Sequence, residues 1–563
     1  MAEDFMTAAV KRVEAQFEKS GVSENCAAFE RKENQIEMRD GVKLHTIYYF
    51  PKEDTAEEKT YPVILTRTCY PGNDRIHRAY GEGLARRGYV YVYQYCRGRE
   101  NSEGKWEPNI NERKDGIDTM NYLVEQPWCE ILGYWGHSYT SMTGWAFADA
   151  AEGKVAAMFL EDYGTDRFVS AYEKGCFRHD ILTAWSMENA EKPVNADYRE
   201  SCRYLPQIEV DEALWGQRVP SYREYITSPN PDAALWQTGW WKQLREIPSK
   251  TKVPIYLLSG WYDHHHGSSM KTWERLNEET KQHSWLEIGA WNHFFQICLE
   301  GKEVLHPQNE EIPKMLEWFE LTLKQKEIPT QRIRAYEIGA DRWIDTVSDG
   351  LGEKGTAGSM TLYLDEKTLR TDTPEQEKTR NYTFDPADPV ESIGGEALLH
   401  TMPQIGSHLQ PESDYREDVL SFVSEPLEET FTLNGKASVR LFVESDCEDT
   451  AFTAKIMEVT PEGKAYNIRS SIATLEQGKT EAGAYEPGSV AEVQITMWNI
   501  VYTIPKGSRI RVDVSSSDFP QYHVHSNQKG LWSEKTENKI AHQTIHTGGV
   551  HASCVILPLM KKQ

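Results

Sequence analysis

The stretch GYWGHSYTSMTGW, residues 133–145, decides the fold. Its apolar start is followed by Ser138, which lies among small residues, and then by a helical pattern. This order is typical of a nucleophile elbow, a sharp strand-to-helix turn that lifts a serine hydroxyl above the edge of a sheet. The helix behind such a serine offers backbone N–H groups to a developing oxyanion. Gly136 permits the close packing, but Thr140 replaces the usual second glycine, so the motif alone is weak.

The chain on both sides of this motif alternates strand and helix patterns. Upstream, the apolar runs PVILT and YVYVYQY are separated by the helical spacing of HRAYGEGLARRG. Downstream, the same alternation resumes with VPIYLLSG and SWLEIGAWNH. Strands separated by helices predict βαβ units and a mostly parallel sheet. We therefore predict an α/β fold, an α/β-hydrolase core formed by residues 1–165 and 251–330.

Two further regions depart from this alternation. Residues 166–250 combine helical spacing with many tryptophans, tyrosines and charges, which predicts a helical cap domain inserted into the core. Beyond residue 330, short β-rich runs divided by Gly, Pro, Asp and Asn are typical of a β-sandwich or jelly roll. We predict a C-terminal jelly-roll domain over residues 331–563. The sequence does not say which cap tryptophans face the serine: Trp185, Trp215, Trp236, Trp240 or Trp241.

Composition excludes several classes of protein. The 563 residues are too many for one core, and no stretch approaches the ~20 apolar residues of a membrane span. The N-terminus mixes both charge signs, which predicts a short surface helix and not a secretory signal. A net charge of -25 argues against nucleic acid and against an anionic membrane as partners. Nine scattered cysteines without C-x-x-C spacing indicate free thiols in a reducing cytoplasm.

A serine nucleophile needs a base and an acid that orients the base. In an α/β-hydrolase the chain order is serine, acid, histidine, each at the carboxyl end of a strand. VPIYLLSGWYD places Asp263 just beyond one apolar run, and SWLEIGAWNH places His293 just beyond another. A turn-capping aspartate and a packed surface histidine would explain each residue alone. The order and setting of all three predict a triad of Ser138, Asp263 and His293.

Ordered motifs in both halves of the chain resemble the CocE/NonD family, the cocaine esterase and X-Pro dipeptidyl peptidase hydrolases. The resemblance runs from about residue 35 to the C-terminus. In the core it rests on MRDGVKLHTIYYFP, PVILTRTCY, GHSYTSMTGW, LLSGWYDHHHG and IGAWNHF, and in the β-rich half on YEIGADRWI and FDPADPV. It implies Ser138 as nucleophile, Asp263 as the orienting acid and His293 as general base.

The resemblance also implies an oxyanion hole and part of the substrate pocket. The hydroxyl of Tyr70 and the backbone N–H of Tyr139 would bind the oxyanion, although Cys69 stands where the family often has proline. In the family, the residue two positions after the acid contacts the acyl group. His265 occupies that position and favours a polar or acidic acyl group. We also expect Trp145 to line the pocket.

The histidine run 264–266 raises the alternative of a metal site. Consecutive residues of an extended loop point in different directions, and no cysteine, aspartate, glutamate or histidine set with metal spacing accompanies the run. We therefore predict no metal site.

Together these features predict a serine hydrolase that cleaves small-molecule carboxylic esters through an acyl-enzyme on Ser138, without a cofactor. Amide cleavage stays open. X-Pro dipeptide release and α-amino acid ester hydrolysis are alternatives, and both need carboxylates for an α-ammonium group, such as Glu173, Glu188 or Glu191 in the cap. Alternatives of another class are a carbohydrate- or ligand-binding protein on a degenerate hydrolase scaffold and a metal hydrolase. The sequence leaves the physiological substrate and homo-oligomerisation open.

Overall fold

A computed structural model describes residues 2–52, 59–345, 351, 356–398 and 401–561 of the chain, with side chains from Met6 onward. The first part of the core alternates strands and helices as predicted. Its strands are β1 (Ala28–Glu37), β2 (Lys43–Lys52), β3 (Tyr61–Thr68), β4 (Val90–Tyr95), β5 (Cys129–His137) and β6 (Val155–Glu161). Its helices are α1 (Ala2–Lys19), α2 (Asp74–Arg86), α3 (Glu112–Val124) and α4 (Tyr139–Trp145).

Short helices and one small hairpin follow β6, in the region predicted as a cap. The helices are α5 (Arg167–Ala171), α6 (Ala184–Glu188), α7 (Tyr198–Arg203), α8 (Val210–Ala213), α9 (Pro220–Ile226), α10 (Ala234–Gln237) and α11 (Gly239–Lys250). The hairpin strands are β7 (Tyr172–Glu173) and β8 (Cys176–Phe177). The core then resumes with strands β9 (Ile255–Gly260), β10 (Trp285–Gly289), β11 (Arg332–Glu337) and β12 (Arg342–Asp345). Its remaining helices are α12 (His266–Arg275), α13 (Glu278–Lys281) and α14 (Glu311–Phe319).

The core strands form one sheet in the order β1-β2-β4-β3-β5-β6-β9-β10-β11-β12. All neighbours from β4 to β11 run parallel, and the antiparallel pairs lie at the two edges. The carboxyl ends of β5, β9 and β10 therefore lie along the same edge of the sheet. The loops that carry the three predicted catalytic residues leave the sheet at this edge.

The core sheet extends further along the chain than predicted. β11 pairs in parallel with β10, and Arg332 of β11 lies opposite Trp285 of β10. Because β12 pairs in turn with β11, the sheet continues to Asp345. The predicted boundary after residue 330 is therefore too early by two strands. The pattern after that boundary shows that helices have ended, but it does not show which sheet a strand joins.

The two faces of the core sheet bury different partners. One face packs against α1, α2 and α14, and Trp135 of β5 lies in this layer. The other face packs against α3, α4 and the cap, and Tyr134, the preceding residue of β5, lies there. This alternation is expected because successive side chains of a strand point to opposite faces. Ser138 follows the end of β5, between the two layers.

Helix α1 lies at the surface, as the sequence predicts, but it buries one face. Val13 and Phe17 are 2% and 4% exposed and belong to the layer with α2 and α14. Gly83 of α2 admits the aromatic ring, because a Cβ atom there would lie 2.4 Å from a ring atom of Phe17. Within the described residues, no helix is both long and apolar enough to cross a bilayer.

The C-terminal region is a β jelly roll. Its strands are β13 (Thr356–Asp365), β14 (Thr368–Arg370), β15 (Lys378–Phe384), β16 (Leu420–Ser424), β17 (Phe431–Gly435), β18 (Ser438–Ser445), β19 (Ala451–Val459), β20 (Ala465–Thr474), β21 (Ala491–Thr496), β22 (Ile500–Ile504), β23 (Arg509–Ser515), β24 (Ala541–Thr547) and β25 (Cys554–Met560), with one helical turn, α15 (Leu475–Gly478). It contacts the cap through a β-bridge between Arg178 and Tyr522. The guanidinium of Arg178 also donates to the carbonyl of Glu396 at 2.8 Å.

Candidate active site

Ser138 lies in a strained turn between β5 and α4. Its backbone has φ 56° and ψ −124°, a conformation that costs of order 1–3 kcal/mol for a residue other than glycine and that clusters at functional sites. Gly136 is required beneath the turn, because a Cβ atom there would lie 2.2 Å from the carbonyl oxygen of Thr140. Thr140 itself fits, since its hydroxyl exchanges two hydrogen bonds of 2.7 Å with the backbone of His137.

The three side chains predicted as a triad meet at the carboxyl edge of the sheet. His293 Nε2 lies 2.9 Å from Ser138 Oγ, and His293 Nδ1 lies 2.5 Å from Asp263 Oδ2. Asp263 is fully buried, and its other oxygen accepts the backbone N–H of His265 at 2.7 Å. A carboxylate on Nδ1 fixes the tautomer that leaves Nε2 free to accept the serine proton.

The C-terminal domain clamps the loop that carries Asp263. Four residues beyond Asp263, Gly267 faces Trp498, and a Cβ atom on Gly267 would lie 2.3 Å from that ring. His266 Nε2 lies 3.2 Å from the carbonyl oxygen of Asn499. The loop that carries Asp263 is therefore held from both sides, by the core sheet and by the jelly roll.

Two hydrogen-bond donors face Ser138 at the start of α4. The backbone N–H of Tyr139 begins the helix and has no acceptor among the described residues, as expected for a first helical turn. The side chain of Tyr70 lines the same cleft as Ser138, and its hydroxyl accepts from Trp185 Nε1 at 3.3 Å. Burial raises the pKa of Tyr70, so its hydroxyl stays protonated and can donate.

Around Ser138 lies a cleft with a volume of about 630 Å³. The cap contributes Trp185 and Glu188, the C-terminal domain contributes Leu398, and helix α1 contributes one further wall. Trp185 also stacks on Tyr139, with ring centroids 5.9 Å apart. Three other cap tryptophans pack inside the apolar core, and the half-buried Trp240 packs against it: Trp215, Trp236 and Trp241 are the buried ones.

The two predicted pocket residues differ in their positions. His265 lines the cleft, and its Nδ1 lies 3.0 Å from the hydroxyl of Ser170. Trp145 does not line the cleft; it is fully buried in the core. It ends helix α4, seven residues after Ser138, and a rise of 1.5 Å per residue places it about 10 Å below the serine.

The histidine run diverges, as the sequence predicts. His264 and His265 line the cleft, whereas His266 points to the C-terminal domain. Burial lowers the pKa of all three rings well below the usual range, so they are neutral.

Three groups of described residues bring atoms that could ligate a metal within 4.8 Å of one another. Two groups contain His293, whose ring nitrogens already contact Ser138 and Asp263. The third consists of Glu377, His546 and His551 in the C-terminal domain, and none of these lines the cleft.

A second buried aspartate, Asp162, lies next to the triad. It follows β6, has φ 48°, and its Oδ2 lies 3.6 Å from His137 Nε2. Neither carboxyl oxygen has a hydrogen-bond partner among the described residues. Burial, with the charge of Asp263 nearby, raises the pKa of Asp162 well above its usual range, so this group is held as a neutral acid. The sequence reasoning missed it, although it also stands just beyond an apolar strand.

This arrangement can carry out acyl transfer. A serine, a base that contacts it, an acid that orients the base, and two donors at the oxyanion position are the groups that such a reaction needs. All of them line or adjoin one cleft that could hold a small substrate.

Comparison with known proteins finds two matching family models and several similar proteins. Residues 40–295 match the family model of the X-Pro dipeptidyl-peptidase (S15 family), and residues 329–556 match that of the X-Pro dipeptidyl-peptidase C-terminal non-catalytic domain. Cocaine esterase from Rhodococcus sp. (strain MB1 Bresler) is 27% identical, over 94% of this chain and 98% of its own length. An aminopeptidase from a marine sediment Thaumarchaeota archaeon (TM-score 0.80) covers 95% of this chain and 96% of its own, at 21% identity. An α-amino acid ester hydrolase (TM-score 0.81) covers 95% and 97%, also at 21% identity.

Proposed function

The chain belongs to the family of cocaine esterase and the X-Pro dipeptidyl peptidases, and from this membership we propose that it hydrolyses carboxylic esters with Ser138, His293 and Asp263 as its catalytic triad. The observation that carries the proposal is the continuous chain of contacts from Ser138 Oγ through both nitrogens of His293 to Asp263.

In the proposed reaction, His293 Nε2 takes the Ser138 proton while Oγ attacks the ester carbonyl carbon. Asp263 holds the ring in the required tautomer and stabilises the imidazolium that forms. The Tyr70 hydroxyl and the Tyr139 N–H donate to the oxyanion. His293 then gives its proton to the leaving alcohol, and water activated by the same ring releases the acid from Ser138.

The test of this function is an ester and amide panel on the wild-type protein, combined with fluorophosphonate labelling. We expect ester hydrolysis without added metal and stoichiometric labelling at Ser138. Absence of labelling on the folded protein would favour a binding protein on a degenerate scaffold. Activity that is lost to a chelator but independent of Ser138 would favour a metal hydrolase.

Replacing Tyr70 with phenylalanine should lower kcat by about 10²- to 10³-fold with a small change in KM, because one oxyanion donor is lost while the ring packing stays. The measurement is steady-state hydrolysis of one ester by wild type and variant. Tyr172→Phe is the matched control, since that buried hydroxyl donates to the Tyr225 carbonyl at 2.8 Å, outside the cleft. Equal losses in both variants would assign the effect to packing and not to the oxyanion.

Replacing His265 with phenylalanine should shift the acyl preference from polar toward apolar groups. Because the ring is neutral, it favours a polar acyl group over an acidic one. Methyl β-hydroxybutyrate and methyl isovalerate differ mainly by a hydroxyl against a methyl group, so the ratio of their kcat/KM values reports this contact. We expect the ratio to fall about 10-fold. An unchanged ratio would remove His265 from the acyl pocket.

Glu188 favours esters that carry an amine as a second class of substrate. Its carboxylate lines the cleft, and its charge acts on Tyr70. The other two cap acids considered from the sequence do not line the cleft, and Glu191 pairs at the surface with Lys105 at 3.8 Å. A free α-ammonium near Glu188 would suit an α-amino acid ester or an X-Pro peptide. Comparing Ala-Pro-anilide, alanine methyl ester and methyl propionate separates these activities.

We also propose a cytoplasmic location. All nine cysteines are free thiols, and six of them are buried. Thiols in this state persist in a reducing compartment.

A further inference from the structure

Helix α1 lines the cleft although it lies outside the matched family models, the first of which begins at residue 40. The contributing side chains include Met6, Ala9 and Val13, which are spaced by three and four residues. Residues at this spacing share one face of a helix. One face of α1 is therefore a wall of the candidate active site.

The position of α1 is fixed by polar as well as apolar contacts. Gln16 donates to Glu311 of α14 at 3.2 Å and accepts the backbone N–H of Ile312 at 3.0 Å. Arg12 pairs with the same Glu311 at 3.4 Å. These hydrogen bonds lie next to the buried Val13 and Phe17, so polar and apolar contacts together fix α1 in place at the wall of the cleft.

Helix α1 stands on the side of Ser138 where His293 lies. Arg12 Nη1 donates to the backbone carbonyl of Phe294, the residue after the histidine, at 3.1 Å. The ring of His137 packs against that of His293, with the two ring centroids 4.8 Å apart. The oxyanion donor Tyr70 instead contacts Trp185 of the cap.

The proposed ester hydrolysis assigns each side of the cleft to one half of the substrate. His293 must give its proton to the leaving oxygen, so the alcohol half of an ester lies on the side of His293. The acyl half then extends toward the cap and His265. The part of the cleft beneath α1 therefore faces the alcohol.

The walls beneath α1 are mostly apolar and carry no unpaired charge among the described residues. The apolar surface consists of Ile76, Tyr80 and Trp135. The rings of Tyr80 and Trp135 meet edge to face, with their centroids 4.6 Å apart. Glu161 accepts Trp135 Nε1–H at 2.8 Å, and burial raises its pKa, so it is neutral. Glu311, the other acid here, is paired with Arg12.

We propose that helix α1 and the sheet edge beneath it form a leaving-group subsite for esters of bulky, uncharged, largely apolar alcohols. This inference rests on the proposed esterase function and specifies the substrate class of the same site.

The test fills the subsite with Ala9→Trp and compares methyl and naphthylmethyl esters of one acid. We expect the ratio of kcat/KM for the naphthylmethyl ester to kcat/KM for the methyl ester to fall about 10-fold or more. Thermal unfolding of the variant establishes that it is folded. Glu14→Trp is the matched control, because Glu14 lies on the exposed face of the same helix.

The two proposals fail in different ways. If wild type hydrolyses the esters and Ala9→Trp leaves the ratio of the two unchanged, or lowers both equally, the subsite is wrong and the esterase function stands. If wild type hydrolyses no ester in the panel, the esterase function fails and the subsite fails with it.

Discussion

The Ser138→Ala variant is expected to hydrolyse esters with kcat/KM reduced by about 10⁴-fold or more, because no other described group can form the acyl-enzyme at this position. Residual activity would come from the oxyanion donors and from binding alone. The measurement is steady-state hydrolysis of the ester that wild type cleaves best, together with loss of fluorophosphonate labelling. KM should change little, since the Oγ atom contributes mainly to the transition state.

Ser141→Ala provides the matched control for this loss. Ser141 lies three residues further along, on α4, is fully buried, and its hydroxyl has no partner among the described side chains. We expect wild-type activity and labelling from this variant. If Ser138→Ala kept its labelling while Ser141→Ala lost it, the nucleophile would have been assigned to the wrong serine.

The Asp263→Asn variant is expected to lose about 10⁴-fold in kcat, nearly as much as loss of the nucleophile. An asparagine amide can donate to His293 Nδ1, which favours the tautomer with a proton on Nε2. That ring nitrogen then cannot accept the proton of Ser138. Steady-state kinetics measure the loss, and thermal unfolding establishes that the variant is folded.

Asp162→Asn is the decisive companion, because both aspartates are fully buried beside His293. Asp162 is held as a neutral acid, so a neutral amide of the same shape should change kcat by no more than a few-fold. A large loss in Asp162→Asn with activity retained in Asp263→Asn would move the role of the acid to the end of β6.

The meeting of Ser138, Asp263 and His293 could be predicted from the sequence because each residue follows its strand within a few positions. A short apolar run marks the strand, and the parallel order of β5, β9 and β10 brings their ends together. The chain order of serine, acid and histidine then assigns the roles. Local pattern and long-range topology agree here, which is why three weak motifs make a specific prediction.

Helix α1 shows what the same reasoning misses. The hydrogen bond from Arg12 to Phe294 joins residues 282 positions apart, and no local sequence pattern predicts such a contact. The mixed charges predict the exposed face of this helix, and the spacing of Val13 and Phe17 indicates a buried stripe, but neither pattern shows which part of the molecule the stripe contacts. The expectation that Trp145 lines the pocket is wrong because α4 carries this residue two turns away from Ser138, into the core.

The clamp on the Asp263 loop bears on how this architecture can be divided. Trp498 and Asn499 belong to a domain that holds no triad residue, yet they press on the segment that orients the base. An isolated core would keep its sheet and its serine but would lose one of the two surfaces that hold the acid. The jelly roll and the core are thus separate in sequence but joined at this loop, and we expect that replacing either domain with one from a relative requires complementary residues at this contact.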